Sequence, residues 1–194
     1  MARTKEFDET EILDKAIDLF WFKGYNGASM QDVVDSLGLS RSSIYDTFGD
    51  KHKLYISALE QYRKQSAGAL INMAKQSSHP LQTIEQLFEM LTNESVNTVC
   101  HKGCFMTNST IELAPHDLEI QKIVKDNMQD IEDAFYLLVK KGQDLGEINQ
   151  KSDAKALARF LFNTISGLRV AAKSGADKAV YQDIIGVTLS VIRY

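Results

Sequence analysis

Apolar residues recur three and four positions apart through most of the chain, and no stretch alternates with a period of two. Ile12, Leu13, Ala16, Ile17, Leu19 and Phe20 form one stripe, and Ile120, Ile123, Val124, Met128, Ile131, Phe135 and Leu138 a second. Leu157, Leu161, Ile165, Leu168 and Ala172 form a third. This spacing puts each set on one face of an α-helix whose other face is solvated. Pro80 and Pro115 stand where a periodic run stops, as expected of a residue that cannot continue a helix. The pattern predicts an all-α fold of about nine helices, over approximately 9–24, 29–36, 40–47, 51–76, 80–98, 104–114, 117–142, 152–174 and 177–193.

The second and third helices are short and joined by Leu37-Gly38-Leu39-Ser40. Gly38 follows the last apolar residue of its helix, where a left-handed backbone closes the helix cheaply, and Ser40 is placed to cap the orphan amides of the next. Val33, Val34 and Leu37, with Leu39, Ile44 and Phe48, supply the apolar faces that lock this pair against the first helix. Arg41, Ser42, Ser43, Tyr45, Asp46 and Thr47 are left outward, short and hydrogen-bonding enough for a helix to enter a major groove. Lys51, His52 and Lys53 then open the fourth helix. Cations are poor partners for the positive end of a helix dipole, whereas phosphate attracts both the cations and the amides there, so the cluster is expected to clamp a DNA backbone.

The stretch GASMQDVVDSLGLSRSSIYDTFGDKHKLYISAL, with AIDLFWFKGY before it, resembles the DNA-binding domain of the tetracycline-repressor (TetR) family of bacterial transcription regulators. The resemblance implies an all-helical homodimer with a helix-turn-helix DNA-binding domain at residues 1–50 and a larger effector-binding and dimerisation domain at residues 51–194. It also implies a DNA-binding set of Ser29, Met30, Arg41, Ser42, Ser43, Tyr45, Asp46, Thr47, Lys51 and His52. Tyr45 occupies the usual backbone-contacting aromatic position and Lys51 the usual phosphate-binding lysine position. Asp46 and Thr47 depart from the common aromatic or histidine residues there, and a carboxylate at Asp46 favours cytosine N4. Further on, GCFMTNSTIELAPHD, Gly103 to Asp117, resembles a stretch seen in a subset of the family at the start of the sixth helix.

Composition narrows the remaining choices. The chain has 194 residues, 44% of them hydrophobic, enough for a substantial core. A formal charge of −4 is not that of a strongly basic nucleic-acid binder, so any DNA contact must come from local charge. No apolar run approaches the roughly 20 residues that span a bilayer, and the acidic start is no export signal, so a cytoplasmic protein with no membrane partner is expected. Cys100, His101 and Cys104 lack a fourth ligand and standard spacing for zinc, and neither a metal nor a cofactor is expected. His116 and Asp117 are neighbours that do not face each other on a helix, and no nucleophile elbow or phosphate loop accompanies them, so no enzyme is expected.

The larger half carries polar residues inside apolar faces: Thr107, Asn108, Ser109 and Thr110 in the sixth helix, and Asn163, Thr164 and Ser166 in the eighth. Either they bond their own helical carbonyls or face solvent, or a ligand or water satisfies them. Phe88, Leu91, Phe105, Asn108, Met128, Phe135 and Asn163 are the expected walls of a pocket for a small apolar effector. The last two helices are apolar on more than one side, so Phe160, Leu161, Ile165, Leu168, Ile184, Val187 and Val191 are expected at a homodimer interface. The expected function is a repressor released from a palindromic DNA operator by a small molecule, with the fourth helix as the link between effector and DNA. Two alternatives stay open: a thiol-based redox or electrophile sensor using Cys104, beside Lys102, and a constitutive DNA binder whose interior encloses no cavity.

Overall fold

Asp8 caps the first helix by accepting from the Thr10 amide, and the same device recurs at Ser29, Ser40, Asp50, Asp117, Asp153 and Asp177. An oxygen-bearing side chain thus meets the orphan amides at the start of seven helices. The computed structural model describes residues 7–97 and 102–193, so Cys100 and His101 of the zinc reading lie outside the described residues. Among the described residues there are nine helices and no strand. They are α1 (Glu9–Lys23), α2 (Met30–Leu37), α3 (Arg41–Phe48), α4 (Lys51–Gln76), α5 (Pro80–Asn97), α6 (Phe105–Glu112), α7 (Leu118–Asp144), α8 (Ala154–Lys173) and α9 (Lys178–Ile192).

The turn between α2 and α3 is built as its residues dictate. Ser29 and Asp32 exchange hydrogen bonds in a capping box at the start of α2. Gly38 ends that helix at φ 66° and ψ 24°, a left-handed conformation that costs other residues a Cβ clash. Ser40 then accepts from the Ser43 amide and starts α3. Val33, Leu37, Ile44 and Phe48 are buried, and Val34 and Leu39 pack against the same core.

Two hydrophobic clusters hold the molecule. The first joins α1, α2 and α3 to the leading half of α4, to α6 and to the start of α7. Edge-to-face aromatic contacts run through it: Phe20 to Tyr55 at 5.0 Å, Tyr55 to Phe105 at 5.3 Å and Tyr62 to Phe105 at 5.6 Å between ring centroids. The second gathers the trailing half of α4 with α5, the rest of α7, α8 and α9. Packing therefore changes over between Tyr62 and Leu70, inside α4, whereas the boundary expected at residue 50 falls at the helix's N-cap, Asp50. A 26-residue helix that belongs to both clusters couples them rigidly.

α8 and α9 divide the expected interface residues. Leu161 and Leu168 lie on the inner stripe of α8 and are buried in the second cluster, and Ile165 packs against it. The outer stripe of α8 carries half-buried Phe160 and exposed Gly167 and Val170, at the spacing of one helical face. On α9, Val180, Ile184, Val187 and Val191 are exposed, Val187 by 65%.

Candidate nucleic-acid interface and effector cavity

α3 presents Arg41, Ser42, Tyr45 and Asp46 to solvent, with Ser43 and Thr47 half-buried. Ser42 and Ser43 turn their hydroxyls to Ser40 Oγ, at 3.0 and 2.8 Å, so both serve the cap. Tyr45 is 42% exposed while Phe48, one turn on, is in the core. Ser29 is occupied by its capping box with Asp32, and Met30 packs against the first cluster. Arg41, Tyr45, Asp46 and Thr47 are therefore the side chains of α3 best placed to reach base edges or phosphates.

The cation cluster at the start of α4 is arranged differently from the expectation. Lys51 donates to the Ala28 carbonyl at 2.5 Å and lies over the Tyr25 ring, 4.3 Å from its centroid. Burial lowers its pKa against the opposing pull of Glu112 and Asp32. His52 Nε2 meets Asp117 Oδ2 at 2.5 Å, and Asp50 takes the Lys53 amide at 2.8 Å. Lys51 and His52 thus pin the helix-turn-helix to the rest of the fold, and only Lys53 of the three is fully exposed. Burial pushes the Asp117 carboxyl up, but the Ile120 amide and His52 outweigh it and leave its pKa below the ordinary value.

A second tie was not legible in the sequence. Glu112, the last residue of α6, accepts from the Asn26 amide at 2.9 Å, from Asn26 Nδ2 at 3.0 Å and from the Tyr25 amide at 3.2 Å. Before the other end of α6, the Lys102 carbonyl accepts from Trp21 Nε1 at 3.0 Å and the Lys102 ammonium pairs with Asp18 at 3.0 Å. Both flanks of α6 therefore hold α1 and the loop after it.

The opposite side of α6 walls a cavity of about 810 Å³, partly open to solvent, that α4, α5, α7 and α8 also line. Cys104, Met106, Thr107, Thr110, Ile111, Ala114 and Pro115 come from α6 and its flanks; Leu87, Met90, Leu91 and Glu94 form a stripe of α5. Of the expected pocket residues, Leu91 and Met128 line this space. Phe88, Phe105 and Phe135 do not: each is wholly buried in packed core. Asn108 turns away to donate to the Lys102 carbonyl at 3.0 Å, and Asn163 is exposed on the outer side of α8. Tyr62, Asn127 and Arg169 line the cavity and were missed. Arg169 carried a readable signal, a lone cation one turn after Ile165 on an apolar helix face.

Inside the cavity, Tyr62 Oη lies 3.5 Å from Cys104 Sγ, and Cys104 is a free thiol. Burial pushes the thiol pKa up, but the charge of Arg169 with hydrogen bonds from Tyr62 and Thr107 overcomes it, leaving the thiol more acidic than usual. Burial drives the Tyr62 phenol the other way and keeps it protonated. Arg169 stays charged, since Cys104, Tyr62 and Glu94 offset its desolvation.

The family model described as "Bacterial regulatory proteins, tetR family" matches residues 12–58, and "Tetracyclin repressor-like, C-terminal domain" matches residues 80–186. The chain belongs to the TetR family. It is 36% identical over 193 residues to the uncharacterized HTH-type transcriptional regulator YezE of Bacillus subtilis (strain 168), covering 99% of this chain and 100% of that one. It is 30% identical over 191 residues to the HTH-type transcriptional repressor ComR of Escherichia coli (strain K12), covering 97% of this chain and 90% of the other. The fold is also that of the TetR family regulator CifR, solved as a cysteine mutant complexed with a 26-bp operator DNA, at TM-score 0.84 and 21% identity over 97% of this chain and 98% of that one. As a TetR family member the chain is a DNA-binding transcriptional regulator and not an enzyme. Among the described residues, no helix is long and apolar enough to cross a membrane.

Proposed function

We propose that this TetR family member is a repressor whose grip on a palindromic operator is released by a small molecule bound in the 810 Å³ cavity. The observation that carries this reading is the double role of α6: Thr107, Thr110 and Ile111 face the cavity while Glu112 holds the loop that leads into the helix-turn-helix. A ligand that displaces α6 must move or release that loop, and with it α3. α4, which spans both clusters, follows the same motion. A homodimer through the outer stripes of α8 and α9, centred on Val170, Ile184, Val187 and Val191, sets two α3 helices about one helical turn of DNA apart. Gly167 and Gly186 have open space over their Cα atoms, which lets a partner helix approach closely. Arg41, Tyr45, Asp46 and Thr47 read the half-site, and Lys53 supplies the accessible charge beside it.

The test is selection of bound duplexes from random DNA, followed by titration of the selected operator in the presence of candidate effectors. A two-fold symmetric site whose affinity falls by about a hundredfold on ligand binding, or about 2.7 kcal/mol of differential affinity, is expected. A protein that recovers no site above random competitor refutes it.

The position of Cys104 supports a second reading, in which the effector reacts rather than docks. An acidified thiol on the wall of an apolar cavity is placed to add to an electrophilic carbon, with Tyr62 and Arg169 beside it to hold the developing negative oxygen. Cys104→Ser separates the two: it abolishes release by electrophiles and leaves release by non-reactive ligands intact.

A further inference from the structure

The chain has one tryptophan, Trp21, two residues before the end of α1. Its indole Nε1 donates to the Lys102 carbonyl at 3.0 Å, and its ring stands edge-on to Tyr62, with 5.3 Å between centroids. The Lys102 side chain reaches back over the same helix, pairing with Asp18 at 3.0 Å and lying 5.5 Å from the centre of the Trp21 ring. Gly103 backs this contact from the other side. It holds φ 67°, and a Cβ added there would lie 3.1 Å from the Arg169 carbonyl oxygen and 3.2 Å from Lys173 Cβ, so only glycine lets the turn lie this close to α8. The turn 102–103 is therefore wedged between the side chains of α1 and the backbone of α8. Beyond Trp21, Lys23 pairs with Asp32 at 2.5 Å, and Asp32 shares with Ser29 the capping box that starts α2. Trp21 and Lys23 belong to one rigid helix, so a shift of the first is passed to the second.

We propose that Trp21 is a positioning residue for DNA binding: its N–H fixes the end of α1 to the turn 102–103, and through that turn α8 sets the pose of α2 and α3. Trp21 acts through α1 and Asp32 rather than on the duplex, and it does so with or without an effector in the cavity. The Lys102 carbonyl also accepts from Asn108 Nδ2 at 3.0 Å, so cutting the indole bond leaves no orphaned acceptor. A phenylalanine at position 21 keeps a ring against Tyr62 and removes only the donor. Loss of the N–H therefore costs position more than stability.

The test measures the full chain on the duplex selected from random DNA by fluorescence anisotropy, with a proton–nitrogen correlation spectrum in which the lone tryptophan gives a single indole resonance. Trp21→Phe is expected to weaken operator binding about tenfold while lowering the melting temperature by no more than about 4 °C. Gly103→Ala pushes the turn off α8, and should also weaken operator binding about tenfold and let the indole proton exchange with solvent about tenfold faster. Added to Trp21→Phe, it should lower operator affinity by less than about twofold more, because the contact it disturbs is already cut. Gly146→Ala is the control: it places alanine at φ 73° in open space, and should lower the melting temperature while leaving operator affinity unchanged. A Trp21→Phe protein that binds the operator like wild type overturns the proposal. So does a double variant whose losses simply multiply, or a Gly146→Ala protein as impaired on the operator as Gly103→Ala. If Gly103→Ala does not fold, Trp21→Phe decides alone, by its operator affinity against its melting temperature.

Discussion

Replacing Glu112 by alanine should separate ligand binding from DNA release. The carboxylate accepts from two backbone amides and one side-chain amide of Tyr25 and Asn26. Hydrogen bonds to a charged acceptor are worth about 1.5–3 kcal/mol each when buried, but Asn26 is exposed and water replaces much of what it loses. The half-buried Tyr25 amide, at 3.2 Å, is the longest of the contacts. Together these place the loss near 2 kcal/mol, which in a chain of this size lowers the melting temperature by about 4–8 °C. The larger effect is on coupling. If α6 transmits the signal through this carboxylate, effector affinity in Glu112→Ala stays within about twofold of wild type, while the ratio of operator affinities without and with effector falls from about a hundredfold to below about tenfold. The assay is fluorescence anisotropy of labelled operator across an effector titration, with calorimetry for the effector itself. A variant that folds, binds effector and keeps its full release ratio would show that α4 alone carries the signal, through the packing of Tyr62 and Leu70, and would refute the role given to α6.

Gly38→Ala meets open space but must keep φ near 66°, so a loss of about 1–2 kcal/mol in thermal or denaturant unfolding is expected, with operator affinity reduced as the angle between α2 and α3 shifts. The Asp32 carboxyl is held down at about 2, first by its hydrogen bond from Lys23 and then by Ser29. A depressed carboxylate stabilises the fold above its unfolded value near 4, so the thermal advantage of wild type over Asp32→Asn should be complete above that pH and vanish as pH falls through about 2. Val187→Asp puts a charge in the outer stripe of α9 without touching the core, and should give a folded monomer by light scattering at micromolar concentration; a persisting dimer places the interface elsewhere. Lys53→Ala should weaken binding to all duplexes alike and flatten the salt dependence by about one unit, while Thr47→Ala alters base preference at one position.

The helices were legible because most rest on local rules: a capping oxygen at seven starts, a three-and-four apolar stripe, and a glycine closing α1, α2 and α3. Gly38 and Ser40 located the turn between α2 and α3, and Ile44 and Phe48 against Tyr45 gave the inner and outer faces of α3. Ionic roles were less legible. Lys51 and His52 were placed correctly along the chain, yet their partners, Ala28 and Asp117, come from the loop before α2 and the cap of α7, which no local pattern connects to α4.

The cavity was hardest to read, for a physical reason: a helix shows the same apolar period whether its stripe meets another helix or an empty space. Phe88 and Leu91 lie within one turn of each other on α5 and both belong to the second core cluster, yet only Leu91 also borders the void. Large rings are poor guides to such a space, since they are the side chains that close gaps between helices; Phe88, Phe105 and Phe135 are all used that way. The better signals are residues that plain packing would reject: a cation on an apolar stripe at Arg169, an amide among aliphatic neighbours at Asn127, and methionines on facing helices. Because α6 walls the cavity on one side and holds the Tyr25–Asn26 loop by Glu112 on the other, a ligand that shifts that wall is expected to draw on the same carboxylate, and Glu112→Ala measures whether it does.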